Sequence, residues 1–243
     1  MGRTHAKNSE IFVDEFDFSG LVNAIDIAIE NPVAEVTAFS DTDATFVDGK
    51  PSFSITLNGL YSTDYDAEMF ADLTSSNRLL TVSPGDSATA GGVAYFGQGD
   101  ITSRPITSNI GEAILLNTTW NGNKPLTRGK ILYRGIATAS VAGTGYHLGA
   151  VASTEQLIAF QHVMSATAGT TLITIIESDS TSAFGIASTA VTFTTVSTSD
   201  IAERKATAGA MTDTWYRTHM EITGASASYD ILVVAGIAPL GSS

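Results

Sequence analysis

Residues 52–61 carry the pattern that most limits the folds open to this chain. Phe53, Ile55, Leu57 and Tyr61 hold one parity, while Ser52, Ser54, Thr56 and Asn58 hold the other. An alternation of period two predicts an antiparallel strand, buried on one face and lined by small polar groups on the other. Residues 21–30 repeat it, with Ile25, Ile27 and Ile29 opposite Asp26, Ala28 and Glu30, until Pro32 interrupts at a bulge or edge. Residues 33–39 and 113–120 read as further strands, the latter closed by the turn signal Asn121-Gly122. Residues 172–176, 191–196, 215–222 and 231–234 add four β-branched strands, separated by small-residue turns. Only residues 63–77 show a helical period: Tyr65, Met69 and Leu73 recur every four residues beside Phe70, behind a Thr63-to-Asp66 capping pattern. That predicts one amphipathic helix lying over a sheet. Residues 83–92 read as a long exposed loop.

Charge divides the chain. Between residues 10 and 48 there are ten acids and no base, while residues 124–134 hold Lys124, Arg128, Lys130 and Arg134 and no acid. The basic run follows the turn-rich Asn121-Gly122-Asn123-Lys124-Pro125, so it reads as a domain boundary. At 243 residues, two modest domains fit the length. A net charge of −13 argues against tight binding of phosphate backbones. No apolar window is long enough for a transmembrane helix, and the N-terminus lacks a signal peptide's apolar stretch. With no cysteine, disulfides, thiol nucleophiles and cysteine-ligated zinc are excluded.

Catalytic patterns are missing. Asp14 and Glu15 are neighbours that a strand would send to opposite faces, and no base lies near them in sequence, so with Asp17 they read as a solvated acidic face. The acids of residues 41–49 resemble a calcium loop, but Phe46 stands where glycine belongs and Pro51-Ser52 where the closing glutamate belongs. His5, His147, His162 and His219 have no zinc-ligand spacing. There is no Gly-x-Ser-x-Gly elbow, and Gly143-Thr144-Gly145 lacks the following Lys-Ser/Thr of a phosphate loop. A non-enzymatic, cofactor-free protein is expected. Trp215, Arg217 and His219 share one parity of a strand; they read either as a surface for a sugar or partner or as the rim of a packed strand.

The opening run from Lys7-Asn8-Ser9 to Asp17-Phe18-Ser19-Gly20 resembles the start of tail tube proteins of long-tailed bacteriophages. The similarity continues through Asn23-to-Ile27, Glu35-to-Asp41, a loop ending at Gly49, a strand to Gly59 and a helix near Asp66, with Ser40 standing where that family more often has glycine. It covers residues 5–130, and residues 131–243 are similar to a β-sandwich that some tail proteins append. Taken with the boundary read from charge and turns, the resemblance gives an all-β chain: a tail-tube-like β-sandwich or barrel with one packed helix (1–123), a basic linker (124–134) and a jelly-roll-like C-terminal β-sandwich (135–243). It implies a virion protein, assembled in the host bacterial cytoplasm, whose usually hexameric rings stack into a tube. Its partners would be its own copies, other tail proteins and DNA as passing cargo, with no membrane. On this reading Asp26 and Glu30 face the lumen, Ile25, Ile27 and Ile29 pack under the helix, and the loop with Asp41, Asp43 and Asp48 meets the next ring. The rival readings are a capsid decoration or neck protein, or a carbohydrate-binding tail module using Trp215, Tyr216, Tyr146 or Tyr229 as platforms.

Overall fold

The computed structural model describes residues 8–38, 42–49, 51–85, 88–197 and 201–240. In chain order the elements begin with β1 (Glu10–Val13), β2 (Phe16–Asp17), β3 (Val22–Glu30), β4 (Val33–Glu35), β5 (Phe46–Asp48) and β6 (Ser52–Leu60). The helix α1 (Thr63–Asp72) follows, then β7 (Arg78–Ser83), β8 (Val93–Ser103), β9 (Ile106–Thr107), β10 (Leu115–Gly122) and β11 (Thr127–Ala137). Next are β12 (Val141–Ala142), β13 (Tyr146–His147), β14 (Glu155–Ala166) and β15 (Thr171–Asp179). The last are β16 (Ser188–Thr192), β17 (Ile201–Ala208), β18 (Trp215–Thr223) and β19 (Tyr229–Pro239). All their pairings are antiparallel. The chain is all-β.

Two compact units result, and they do not follow the linear division expected from charge. Unit 1 comprises residues 1–20, 78–97 and 127–243; unit 2 comprises residues 21–77 and 98–126. Residues 127–134, expected as linker, form the first part of β11, where Ile131 and Leu132 are buried. The turn signals at 121–126 do end β10. The basic residues that follow occupy a strand, and a local charge count cannot separate the polar side of a strand from a linker.

Unit 1 is layered. One sheet runs β17-β14-β19-β11 and into the start of β8, with β7, β1 and β2 continuing beside it. A second sheet runs β12-β18-β15-β16, with β13 also on β18. Between the sheets lie Leu132, Leu157, Val163, Ile231 and Val233 from the first and Leu172, Ile176, Tyr216 and Met220 from the second. The other face of the first sheet packs Phe96, Ile131, Phe160, Leu232 and Val234 against Phe12 of β1. With both faces covered, β19 reads as the continuous apolar run Ile231-Leu232-Val233-Val234 rather than an alternation. Gly129 is fixed by close approach: a Cβ there would fall on the Ala235 carbonyl of β19.

Unit 2 builds on the alternating strand. In β6, Phe53, Ile55 and Leu57 are buried while Ser54, Thr56 and Asn58 are not, as the period predicts. β6 pairs with β3 on one side and β10 on the other, and β10 pairs with the end of β8. α1 packs on the apolar face through Tyr65 and Met69; Tyr65 Oη is 3.4 Å from Thr118 Oγ1. Its N-cap is Ser62, one residue before the expected Thr63, with Oγ accepting from the Tyr65 N–H at 3.1 Å. Phe70 and Leu73 are 64% and 44% exposed. Phe70 lies about 100° round from Met69, and Leu73 stands past the last turn. The expected loop at 83–92 is only partly exposed, since Ser83 closes β7 in the interior and Ala88 is buried.

Candidate functional site

Among the described residues, the polar face of unit 2 is one wall of small groups with acids and no base. On β3, Asp26 pairs with Thr56 and Glu30 with Ser52, and all four belong to the same face of the sheet. On β10 the same face continues through Asn117, Thr119 and Asn121, with Thr56 and Thr119 hydroxyls 3.3 Å apart. Asn121 pairs with Asp100 of β8, which adds a third acid. Asp26 and Glu30 are both exposed. Ile25 and Ile27 lie half-buried on the opposite face, whereas Ile29 is 61% exposed.

β3 is the last strand on the path of its sheet, so among the described residues its outer edge carries no partner strand. Beyond Pro32 the chain leaves that sheet as an arm, β4 paired only with β5. The arm is closed by Val36 N–H to Thr45 O at 2.8 Å and Gly49 N–H to Pro32 O at 2.6 Å. Val33, Val36, Phe46 and Val47 on it are each more than half exposed. Of the acids expected to meet a neighbouring ring, Asp43 is exposed, Asp48 ends β5, and Asp41 lies outside the described residues. A two-stranded ribbon is marginal alone in water, and an apolar one needs a surface to lie on.

In unit 1, β15 and β18 bring Trp215, Arg217 and His219 to the outward face of the second sheet, beside Glu177. Arg217 Nε donates to Glu177 Oε2, and His219 Nδ1 to Glu177 Oε1, each at 2.7 Å. Burial raises the Glu177 carboxyl, but these two donors outweigh it and hold the carboxyl below its usual range. Tyr216 and Tyr229, considered as sugar platforms, are fully buried, because their parity turns them into the core.

The expected acidic face at 14–17 is partly overturned. Asp14 is buried at a turn with φ of +48°, its Oδ1 accepting the Leu79 N–H at 2.9 Å and its Oδ2 lying 3.1 Å from Arg78 Nε. Sequence reasoning missed this because Arg78 is far along the chain. It also missed Arg134, which sits among Glu10, Asp17 and Asp230 while its guanidinium lies 5.2 Å from the Phe12 ring centre. The only local signal was an arginine in a basic stretch of a chain whose N-terminal part is acidic.

No family model and no curated protein matches the chain. Solved structures give partial likenesses. A chain of the native gene transfer agent virion is 16% identical, with a TM-score of 0.42 over 52% of this chain and 98% of that one. The SPP1 Dit protein, presented as a paradigm of hub adsorption apparatus in Gram-positive-infecting phages, is 10% identical, with a TM-score of 0.39 over 95% and 99%. A chain of the phage p2 baseplate is 7% identical, with a TM-score of 0.33 over 93% and 97%. All three scores lie below 0.5, and no residue role passes from them to this chain.

Proposed function

We propose that this chain is a structural subunit of a bacteriophage tail that works by assembling with further copies of itself and with other tail proteins. One observation carries the reading: eleven of the fifteen large apolar side chains exposed among the described residues lie in unit 2, the smaller unit, together with the unpaired β3 edge and the arm. Monomeric proteins seldom leave so much apolar surface and an open strand edge together. Copies joined edge to edge close into a ring, and the closure removes the edge. The resemblance to tail tube proteins supplies the context, with its order of strand, loop ending at Gly49, alternating strand and helix. In its finer form, rings stack into a tube in the virion tail, the arm reaches the adjacent ring, and Asp26 and Glu30 line a lumen. Acids there repel a passing DNA phosphate over roughly 8 Å at physiological salt. A chain without cysteine suits assembly in a reducing cytoplasm.

Negative-stain microscopy of the purified full chain tests this. Rings or tubes are expected, and isolated globules or trimers at micromolar concentration overturn it in favour of a decoration protein. Single rings that never stack keep the tail subunit and reject the tube.

A further inference from the structure

We propose that the outward face of the second sheet of unit 1 is a binding site for a neutral saccharide, with Trp215 as the stacking platform and Arg217 and Glu177 as the hydroxyl-reading pair. The site is built rather than incidental. Trp215 and Arg217 stand two residues apart on β18, facing Asp179 and Glu177 across the pairing with β15. The Trp215 ring is braced by His147 of β13, edge-on at 77° with centroids 5.5 Å apart. Arg217 is held from two sides: Glu177 accepts from its Nε, and its guanidinium carbon lies 4.3 Å from the centre of the Phe184 ring. Phe184 is itself locked. It is 8% exposed, and a Cβ on Gly145 would fall on its ring.

The loop that presents Phe184 is tied by one carboxylate. Asp179 Oδ1 accepts the Thr181 N–H at 2.9 Å and Oδ2 accepts the Ile186 N–H at 3.0 Å. Asp179 also lines, with Ser180, Thr181, Ile186, Ser188 and Asp213, an open depression of about 460 Å³ whose lining does not include Trp215, Arg217 or Glu177. Among the described residues, the two Nη groups of Arg217 and Nε2 of His219 have no protein partner.

The chemistry selects the ligand class. A pyranose has an apolar C–H face and a rim of hydroxyls that both donate and accept. A half-buried indole covers the first, and a fixed arginine fork beside a carboxylate reads the second. Arg217 and Glu177 cancel in charge, so the site gives no advantage to a polyanion. Because the side chains are already ordered by Phe184, His147 and Glu177, little rotamer freedom is lost on binding.

The experiment uses the full chain on an array of neutral oligosaccharides (glucan, galactan, mannan and N-acetylglucosamine oligomers), followed by tryptophan fluorescence titration of any hit. Trp120 is fully buried, so a change of emission reports on Trp215. At least one neutral saccharide is expected to bind at about 1 mM or tighter, the weak end of specific recognition. Trp215→Ala should weaken it at least tenfold, Arg217→Lys at least fivefold, and Trp215→Phe should retain part, all with unchanged circular dichroism. Should Trp215→Ala fail to fold, Trp215→Phe and Arg217→Lys carry the test. No neutral hit, capture of acidic glycans only, or equal binding by parent, Trp215→Phe and Arg217→Lys overturns the proposal. None of these outcomes depends on whether the chain forms rings.

Discussion

His162 is fully buried, its Nδ1 2.6 Å from the Asp14 carbonyl oxygen and its Nε2 2.8 Å from the Thr81 hydroxyl. Nδ1–H donates to the carbonyl and Nε2 accepts from the hydroxyl, so the ring is neutral. Burial pushes its pKa down to about 4, against a smaller upward pull from the Asp14 carbonyl. Burial pushes the Asp14 carboxyl the other way, up to about 6, although the Leu79 N–H and Arg78 draw it back. The two act oppositely on stability. The His162 contribution is present above the unfolded value near 6.5 and is lost as pH falls toward 4; the Asp14 contribution is present below 3.8 and is lost as pH rises through 6. Between pH 4 and 6 they offset one another. Asp14→Asn removes the second, so its stability should fall relative to the parent by roughly 1 kcal/mol per pH unit on acidification through that window. Urea denaturation at several pH values checks this, and parallel profiles for parent and variant would sink it. Arg134→Ala leaves Glu10, Asp17 and Asp230 without their shared cation. A loss of about 2 kcal/mol in denaturation is expected, since hydrogen bonds to charged groups each contribute about 1.5–3 kcal/mol.

At the scale of elements, the arm is separable from the fold. Among the described residues β4 and β5 pair only with each other, and their described side chains are exposed. Replacing residues 33–48 with a short Gly-Asn-Gly turn should therefore leave the melting temperature within a few degrees while abolishing self-assembly in sedimentation velocity. Retained assembly would remove the arm from the interface. Legibility in the sequence also varied by element. β6 was readable because only one of its faces is buried, so period two survives in its residues. β3, β15 and β18 were found for the same reason, and β19 by its continuous apolar run, covered on both faces. β14 was missed: it is covered on both faces and includes Gln156, Gln161 and His162 among its buried residues, which mask an apolar run. β11 was read as linker because its bases dominated a local count. Trp215, Arg217 and His219 were legible as one face from parity alone, whereas Glu177, which orients two of them, comes from another strand and leaves no trace in sequence spacing.

For the whole molecule, the charge of −13 has a location as well as a size. Asp26, Glu30 and Asp100 share one sheet face with hydroxyl and amide groups. The double variant Asp26→Lys, Glu30→Lys should gain salt-sensitive retention of duplex DNA in filter binding, where the parent shows none at 150 mM salt, in the range in which a few lysine–phosphate contacts are felt. DNA retention by the parent would contradict a repelling surface. Chain order has a further consequence, in time rather than space. Unit 2 is complete once Leu126 has been synthesised, but unit 1 needs residues from before Gly20 and from after Thr127. Its strand β19 lies between β14 and β11 and comes after every other described strand in chain order. The unit that carries the arm and the open edge thus matures first, while the larger unit waits for its central strand. The interval between the two is set by translation rate, about 5–20 residues per second. During that interval the nascent chain can already display its arm and open edge while unit 1 still lacks β19.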